Sequence, residues 1–447
     1  MLSTTRPFVT SLRCPVFEPG DPGYAAEVAT FHTNTVHTPD LVVGVESTAD
    51  VADALRFARE HGYHVSVQSG GHGMTPVTSG LMITTQRMNA VTIDETTQVA
   101  MIGGGARWMD VLATAEPHGL LPIIGSSSHV GVAGYLLGGG LGPLARTHGF
   151  SVDHVLGFTI VTATGEVLDI DESRHADLYW ALRGGKAAPG IVTEIRLRLF
   201  ALPTIHAGAL FFEEEQIDSV FRGWLDWTQT ADPEVTTSAA ILTFPDLDIS
   251  PPPFRGKRVI MLRFAYPGDA ARGAELAAPL LALAPVFMDG IGDIRPTQID
   301  LIHMDPPEPL PAWGAGAGAQ FSHADGELAN RFLERFGAGT TNPFAMAEFR
   351  HGGGAVATDV AGGSSVTGRD ATYTMFLVSM FPPLFAEVAP AAASETLTAL
   401  QGWILPETNV NFIGENTASR PWSLDVQARL DAVRGQYDPE GIFVQRW

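Results

Sequence analysis

Hydrophobic positions between residues 40 and 68 change period twice. LVVGV (41–45) is a short continuous apolar run and predicts a buried strand. Ser47 and Thr48 then precede ADVADALRFAREHG, whose apolar residues recur at helical spacing up to Gly62, a capped amphipathic helix with a glycine stop. HVSVQ (64–68) alternates as a half-buried strand does, and it runs straight into SGGHG (69–73).

The same reading carries on through the first half of the chain. LMITTQRMNAVTID (81–94) and QVAMIGGG (98–105) read as strands, ARWMDVLATAEPHG (106–119) as a helix and LPIIG (121–125) as a strand. VLGFTIVTATGEVLDI (155–170) reads as a hairpin turning at Thr164 and Gly165. ADLYWALRGG (176–185) opens as a short helix, and GIVTEIRLRLF (190–200) alternates strongly. Beyond about 205, helical (EEQIDSVFRGWLDWTQT) and strand segments (RVIMLRFAY, PFAMAEFRH, YTMFLVSMF) alternate less regularly around a Pro/Gly/Ala-rich loop at 305–319. The pattern predicts an α+β chain with a second α+β domain in its later half.

Composition narrows the possibilities. A chain of 447 residues exceeds one ordinary core, and two domains follow. Against 27 Lys+Arg stand 49 Asp+Glu, a net charge of −22, which opposes binding to nucleic acid or an anionic membrane. Cys14 is the sole cysteine, so no disulfide forms within the chain. The first residues lack the apolar run of a signal peptide, and no stretch reaches the roughly 20 apolar residues of a spanning helix. A cytoplasmic protein is expected, with monomer and homodimer both open. His61 and His64 have a metal-pair spacing but no carboxylate or cysteine beside them, and a structural role is expected.

Three glycine-dense loops adjoin strands: 69–73, the region from Gly125 to Gly142, and RGGKAAPG (183–190). Backbone N–H groups in such loops bind phosphate oxygens without needing cations. None is a GxxxxGK[ST] loop or a clean GxGxxG, and GSSSH fails the GxSxG pattern of a nucleophilic serine. The residues alone point to a dinucleotide-sized ligand and no further.

The order and spacing of VSVQSGGHG, VAMIGGGARWMDV, GLLPIIGSSSHVGVAGYLLGGGLGPLARTHGF, DLYWALRGG and GIVTEIRLRL resemble the flavin domain of the berberine bridge enzyme-like oxidases. These belong to the p-cresol methylhydroxylase/vanillyl-alcohol oxidase superfamily. The likeness resumes in AEFRHGGGAVA, GRDATYTMF, NVNFIGE and YDPEGIF. It implies a two-subdomain FAD-binding domain over 30–205, completed by 406–447, and a substrate-binding domain over 206–405 with an antiparallel sheet and helices.

The resemblance implies FAD bonded covalently through His72, with Ser69, Gly70, Gly71 and Gly73 cradling the pyrophosphate. Gly125, Ser127, Val130, Gly131, Gly134, Gly138, Gly139, Ile191, Val192 and Asn411 are the other expected cofactor contacts. Ser127 stands where many relatives have a second, cysteinyl link, so a single covalent bond is expected. Val130 matches the valine that leaves room for O2 beside the flavin and favours an oxidase. Lys186, Ala187, Ala188 and Pro189 depart from the usual G-G-G-G-N-F-G, Asn409 replaces the usual tyrosine, and Gly441 replaces an asparagine.

The implied reaction takes hydride from a C–H next to OH or NH of a small molecule to flavin N5, with O2 as partner. Alcohols, sugars, cyclic amines and secondary-metabolite intermediates fit, and composition leans towards apolar or amine-like substrates. A dehydrogenase with another acceptor and a flavin-binding protein without turnover are the alternatives. Glu348 is the first candidate base: alternation places Met346, Glu348 and Arg350 on one face, where apolar neighbours raise a carboxyl pKa. Tyr373 and then His351 follow, and Asn411 is the third expected catalytic residue.

Overall fold

The computed structural model describes residues 12–444 apart from 74, 187–188, 249, 312–315, 380–382 and 415–416. The fold is α+β and rests on three principal sheets. In the first, Leu41–Gly44 and Val65–Gln68 flank Leu81–Thr84 in parallel, and Val16–Phe17 adds antiparallel to the outer edge. The expected helix follows the first of these strands at Thr48–Glu60, with the Ser47 hydroxyl accepting the Asp50 N–H at its start. That cap and the buried face of Val51, Ala54, Leu55 and Ala58 fix where the chain re-enters the sheet.

The second sheet is antiparallel, in the order Val91–Asp94, Val99–Gly103, Gly190–Arg198, Val155–Thr162, Val167–Ile170. The expected 155–170 hairpin lies at its edge. Of LPIIG only Leu121 is in a strand, Leu120–Leu121, which pairs with Phe200–Ala201. Pro122 has no N–H to donate, so the ladder ends there and Ile123 and Ile124 go into the core instead.

The third sheet carries Ile205–Glu213, Arg258–Tyr266, Thr236–Thr243, Met346–His351, Tyr373–Val378 and Ala317–Phe321, all antiparallel. Ile217–Thr228 and Gly326–Phe336 cover one face of it, bringing Phe221, Trp224, Phe332 and Phe349 into one aromatic core. The other face turns to the first half of the chain, and Ala207, Ala265, Ile299 and Ile302 share a core with Trp108, Ile124 and Leu136. The C-terminal segment returns to the first sheet: Val65 donates to the Ile442 carbonyl and Val444 to that of Val65. Among the described residues no helix is long and apolar enough to cross a membrane. His61 stacks on Phe57 at 4.2 Å, a packing role.

Candidate active site

The strand Val65–Gln68 delivers the chain into the loop that holds His72. Gly71 and Gly73 take left-handed φ values of 68° and 77°, a region that glycine enters at little cost. At Gly70 the constraint is space: a Cβ there would stand 3.1 Å from the Gly131 nitrogen. Two loops expected to meet one ligand therefore meet each other. The His72 ring packs on Phe31 at 4.6 Å and His32 at 5.4 Å, leaving one side exposed. Protein atoms on the other sides desolvate it, and the nearby His32, Lys186, Arg107 and His129 add positive charge. Together they push its pKa down to about 4, so at neutral pH the imidazole carries a free lone pair.

Beside this loop lies a cleft of about 520 Å³ lined by Ser69, Gln86, Arg87, Asn89, Gly105, Arg107, Met109 and Asp110. Gly105 lets the strand end close against its neighbour, since a Cβ there would sit 1.8 Å from the Thr85 carbonyl oxygen. Ser69 Oγ is buried and has no hydrogen-bond partner. An orphaned hydroxyl, glycine backbone and an arginine at one cleft suit a phosphate-bearing ligand, and FAD fits that donor set. Sequence reading did not single out Asn89, Gly105 or Arg107. The GGG at 103–105, read only as the end of a strand, was the available signal.

The 125–131 loop forms the adjoining wall. Gly125 lies under the Tyr135 ring, and Ser127 is buried with its hydroxyl accepting the His129 N–H at 3.3 Å. Val130 is half-buried and its carbonyl takes the Trp108 N–H at 3.1 Å. Ile191 and Val192 are buried in Gly190–Arg198 in different cores: Ile191 joins that of the first sheet, Val192 the one behind this wall, with Gly104 closing on the Val192 carbonyl.

Asn411 connects this wall to the third sheet. Its Nδ2 donates to the Tyr135 carbonyl at 3.0 Å, and its Oδ1 accepts from Lys186 Nζ at 2.8 Å. Gly138 makes the approach possible, since a Cβ there would lie 2.1 Å from Asn411 Oδ1; Gly139 follows in a left-handed turn at φ 98°. Lys186 Nζ also donates to the Gly134 carbonyl at 3.0 Å. Ala187 and Ala188 lie outside the described residues. Asn409 is buried, bridging the Thr367 carbonyl and the Asn411 N–H, and its own N–H donates to Gln320. Gly441 is left-handed at φ 64°.

Glu348 is fully buried on the sheet face turned to these loops, across from Ala240 and Phe376. It does not sit among apolar groups alone. Arg350 Nε donates to it at 2.8 Å, Arg263 bonds its other oxygen, and His303 Nε2 lies 4.0 Å away. Burial by itself raises its pKa, but Arg350 and Arg263 outweigh that and hold it below the ordinary carboxyl range. The expected upward shift is thus reversed, because both arginines share the face with Glu348, Arg350 by alternation and Arg263 by strand pairing.

Tyr373 pairs with His351 and points to the helix-covered face. Its hydroxyl shares a hydrogen bond with Thr228 at 2.6 Å and accepts from Gln229 at 2.9 Å, so it completes the core and does not meet Glu348. His351 stacks on Tyr373 at 5.3 Å with Nε2 3.2 Å from Arg146 Nη1, and burial followed by Arg146 lowers its pKa to about 3. Asp305 joins Glu348 instead. It accepts from Ser126, and burial raises its pKa against the opposing pull of Arg263 and Arg350. Asp300 of the same segment accepts the Ser128 N–H at 2.7 Å, locking the segment to the 125–131 loop. Sequence reading offered no signal for Asp305, which lies in an irregular loop.

Residues 39–171 match the family described as FAD binding domain. Over 236 residues the chain is 32% identical to (R)-6-hydroxynicotine oxidase of Paenarthrobacter nicotinovorans, covering 52% of this chain and 48% of that protein. The match thus spans about half that relative's length. The structure superposes on BBE-like 1 of Physcomitrella patens with a TM-score of 0.82 at 19% identity, covering 98% of this chain and 97% of that one. It superposes on glucooligosaccharide oxidase of Acremonium strictum, whose FAD is 6-S-cysteinyl and 8α-N1-histidyl, with a TM-score of 0.81 at 21% identity and coverage of 98% and 97%. Residues 39–171 are therefore an FAD-binding domain, and the whole chain takes the fold of these BBE-like and glucooligosaccharide oxidase structures.

Proposed function

We propose that this protein is an oxidase of small molecules that holds FAD covalently through His72 alone. The observation that carries this reading is the neutral imidazole of His72, exposed on one side and held on the loop that the Gly70–Gly131 contact fixes. When bound, FAD supplies the hydride acceptor and passes two electrons to O2, giving H2O2. Residues 30–205 with 406–447 hold the cofactor, and 206–405 present the substrate. Ser69, the 70–73 backbone and Arg107 hold the pyrophosphate. Cys14 is buried in the core around the first sheet and leaves Ser127 without a thiol counterpart. Val130 keeps space for O2.

The loop that carries Asp305, beside the inner face of the third sheet, handles the proton. A base works best with a pKa near the operating pH. Glu348, held down by two arginines, is displaced away from that range, whereas Asp305 is displaced towards it. We assign Asp305 as the base and Glu348 as the group that keeps Arg263 and Arg350 in place. A cyclic amine that is neutral at the working pH makes a smaller demand on the base than an alcohol or sugar does. The hydroxynicotine and glucooligosaccharide oxidases name both chemistries among the relatives.

Three outcomes are expected. A screen of amines, alcohols and sugars yields at least one compound oxidised with one H2O2 per turnover. Reduced flavin that persists in air would make the protein a dehydrogenase, and failure of every compound to reduce the flavin would favour cofactor binding without turnover. Asp305→Asn slows anaerobic flavin reduction on the order of 10²–10⁴-fold, read by stopped flow, with the oxidised spectrum unchanged. Glu348→Gln strands two buried guanidinium groups and destabilises the fold by about 3–5 kcal/mol at neutral pH. Because the folded-state pKa of Glu348 is lowered, its contribution is present above its ordinary 4.5 and lost as pH falls through the folded value. Denaturant midpoints of the native protein and the variant therefore begin to converge as pH falls below about 4.5 and meet only below the lower folded-state value, where the native carboxyl also becomes neutral.

A further inference from the structure

Lys186 stands at φ 55°, a left-handed backbone that costs a lysine strain and a glycine almost none. Its backbone N–H donates to the Leu137 carbonyl at 2.8 Å, which holds it in that conformation. Two of the three N–H groups of its ammonium go to the Gly134 carbonyl and to Asn411 Oδ1. Both acceptors are neutral, and among the described residues no carboxylate pairs with it. Burial lowers its pKa to about 8, which still leaves the ammonium predominant at neutral pH. This half-buried cation has two neutral partners for its side chain and a donor left over, so among the described residues no protein charge balances it.

Its position says which charge would complete it. The 520 Å³ cleft with Ser69 and Arg107 suits the phosphates, and Lys186 does not line it. Lys186 is anchored where the helix Val132–Leu137 meets the 409–412 segment. Phe412 of that segment lies under the Arg350 guanidinium at 5.0 Å, on the sheet face that holds Glu348. On the FAD reading above, this junction lies between the cofactor loops and the substrate-facing sheet, and Lys186 is one of the charges that lower the His72 pKa.

We propose that Lys186 faces the flavin ring and pairs with the negative charge the ring gains on reduction. The inference rests on the FAD reading above. It makes Lys186 a residue that tunes the cofactor, and it explains why a strained lysine occupies a glycine position. A positive charge there favours the reduced ring and raises the two-electron midpoint potential. Sulfite reports the same field, since its addition also leaves negative charge on the ring.

The test uses the flavin-loaded protein and three variants. Lys186→Met removes the charge. Lys186→Gly removes it while relieving the backbone, so that variant folds even where the methionine does not. Lys186→Arg keeps the charge. Sulfite binding is expected to weaken at least tenfold in the first two and to stay within about threefold in the third. The midpoint potential is expected to fall by about 30 mV for each tenfold change in the reduction equilibrium. Unchanged sulfite affinity and potential in both neutral variants overturn the proposal. A lower fraction of flavin-loaded protein, with the potential of the loaded fraction unshifted, also overturns it, because the lysine then serves cofactor loading and not the ring. Native protein that carries and binds no FAD removes the parent reading together with this one, and that result is distinct from the other two.

Discussion

A single carbon added to Gly70 would lie 3.1 Å from the Gly131 nitrogen, and one added to Gly131 would lie 3.1 Å from the Gly70 nitrogen. Much of the proposed site depends on that closeness. The first loop leaves a parallel strand of one sheet, and the second leads into the helix Val132–Leu137 over another core. A side chain at either position would require the two loops to give by a few tenths of an ångström. Interiors this dense absorb even a methyl group poorly. The same logic recurs at Gly138, where glycine lets Asn411 reach Lys186 and Tyr135.

Against this apolar and backbone frame, the third sheet places an unusual amount of charge. Arg263, Glu348 and Arg350 lie together on its inner face, with His303 and Asp305 at the rim. Burying such groups is costly unless each finds a partner, and the partners here lie on neighbouring strands. Arg146 extends the network from the first half of the chain to the Val235 and Gly352 carbonyls. The two halves are therefore joined by polar bonds as well as by a shared core, and movement of the sheet would be felt in the loops that flank the cofactor site.

How much of this can be read without coordinates depends on range. Helix Thr48–Glu60, strands such as Val65–Gln68 and Gly190–Arg198, and the 155–170 hairpin are legible because periodicity, caps and turn residues act over a few positions. The glycine loops are legible in kind. The order of those pieces carries the resemblance that names FAD, and the domain match agrees with it. Alternation correctly puts Glu348 and Arg350 on one face but says nothing of Arg263, which arrives from a strand 85 positions away and reverses the expected pKa shift. Tyr373 is misread for the same reason: its face is decided by pairing with His351 and by a helix-borne Thr228. LPIIG is a local error, in which the proline outweighs the apolar run. Asp305 and Lys186 depend on long-range neighbours, Ser126 and Asn411, that no local pattern announces.

The central claim is that His72 is bonded to the cofactor and that no other residue is. Acid precipitation of the purified protein, followed by peptide mass spectrometry, tests it most directly. The predicted result is flavin retained in the pellet, a single peptide containing residue 72 that carries the mass of FAD, and release of flavin into the supernatant from His72→Ala. Flavin free in the supernatant from the native protein, or attached to a peptide lacking residue 72, would contradict the claim.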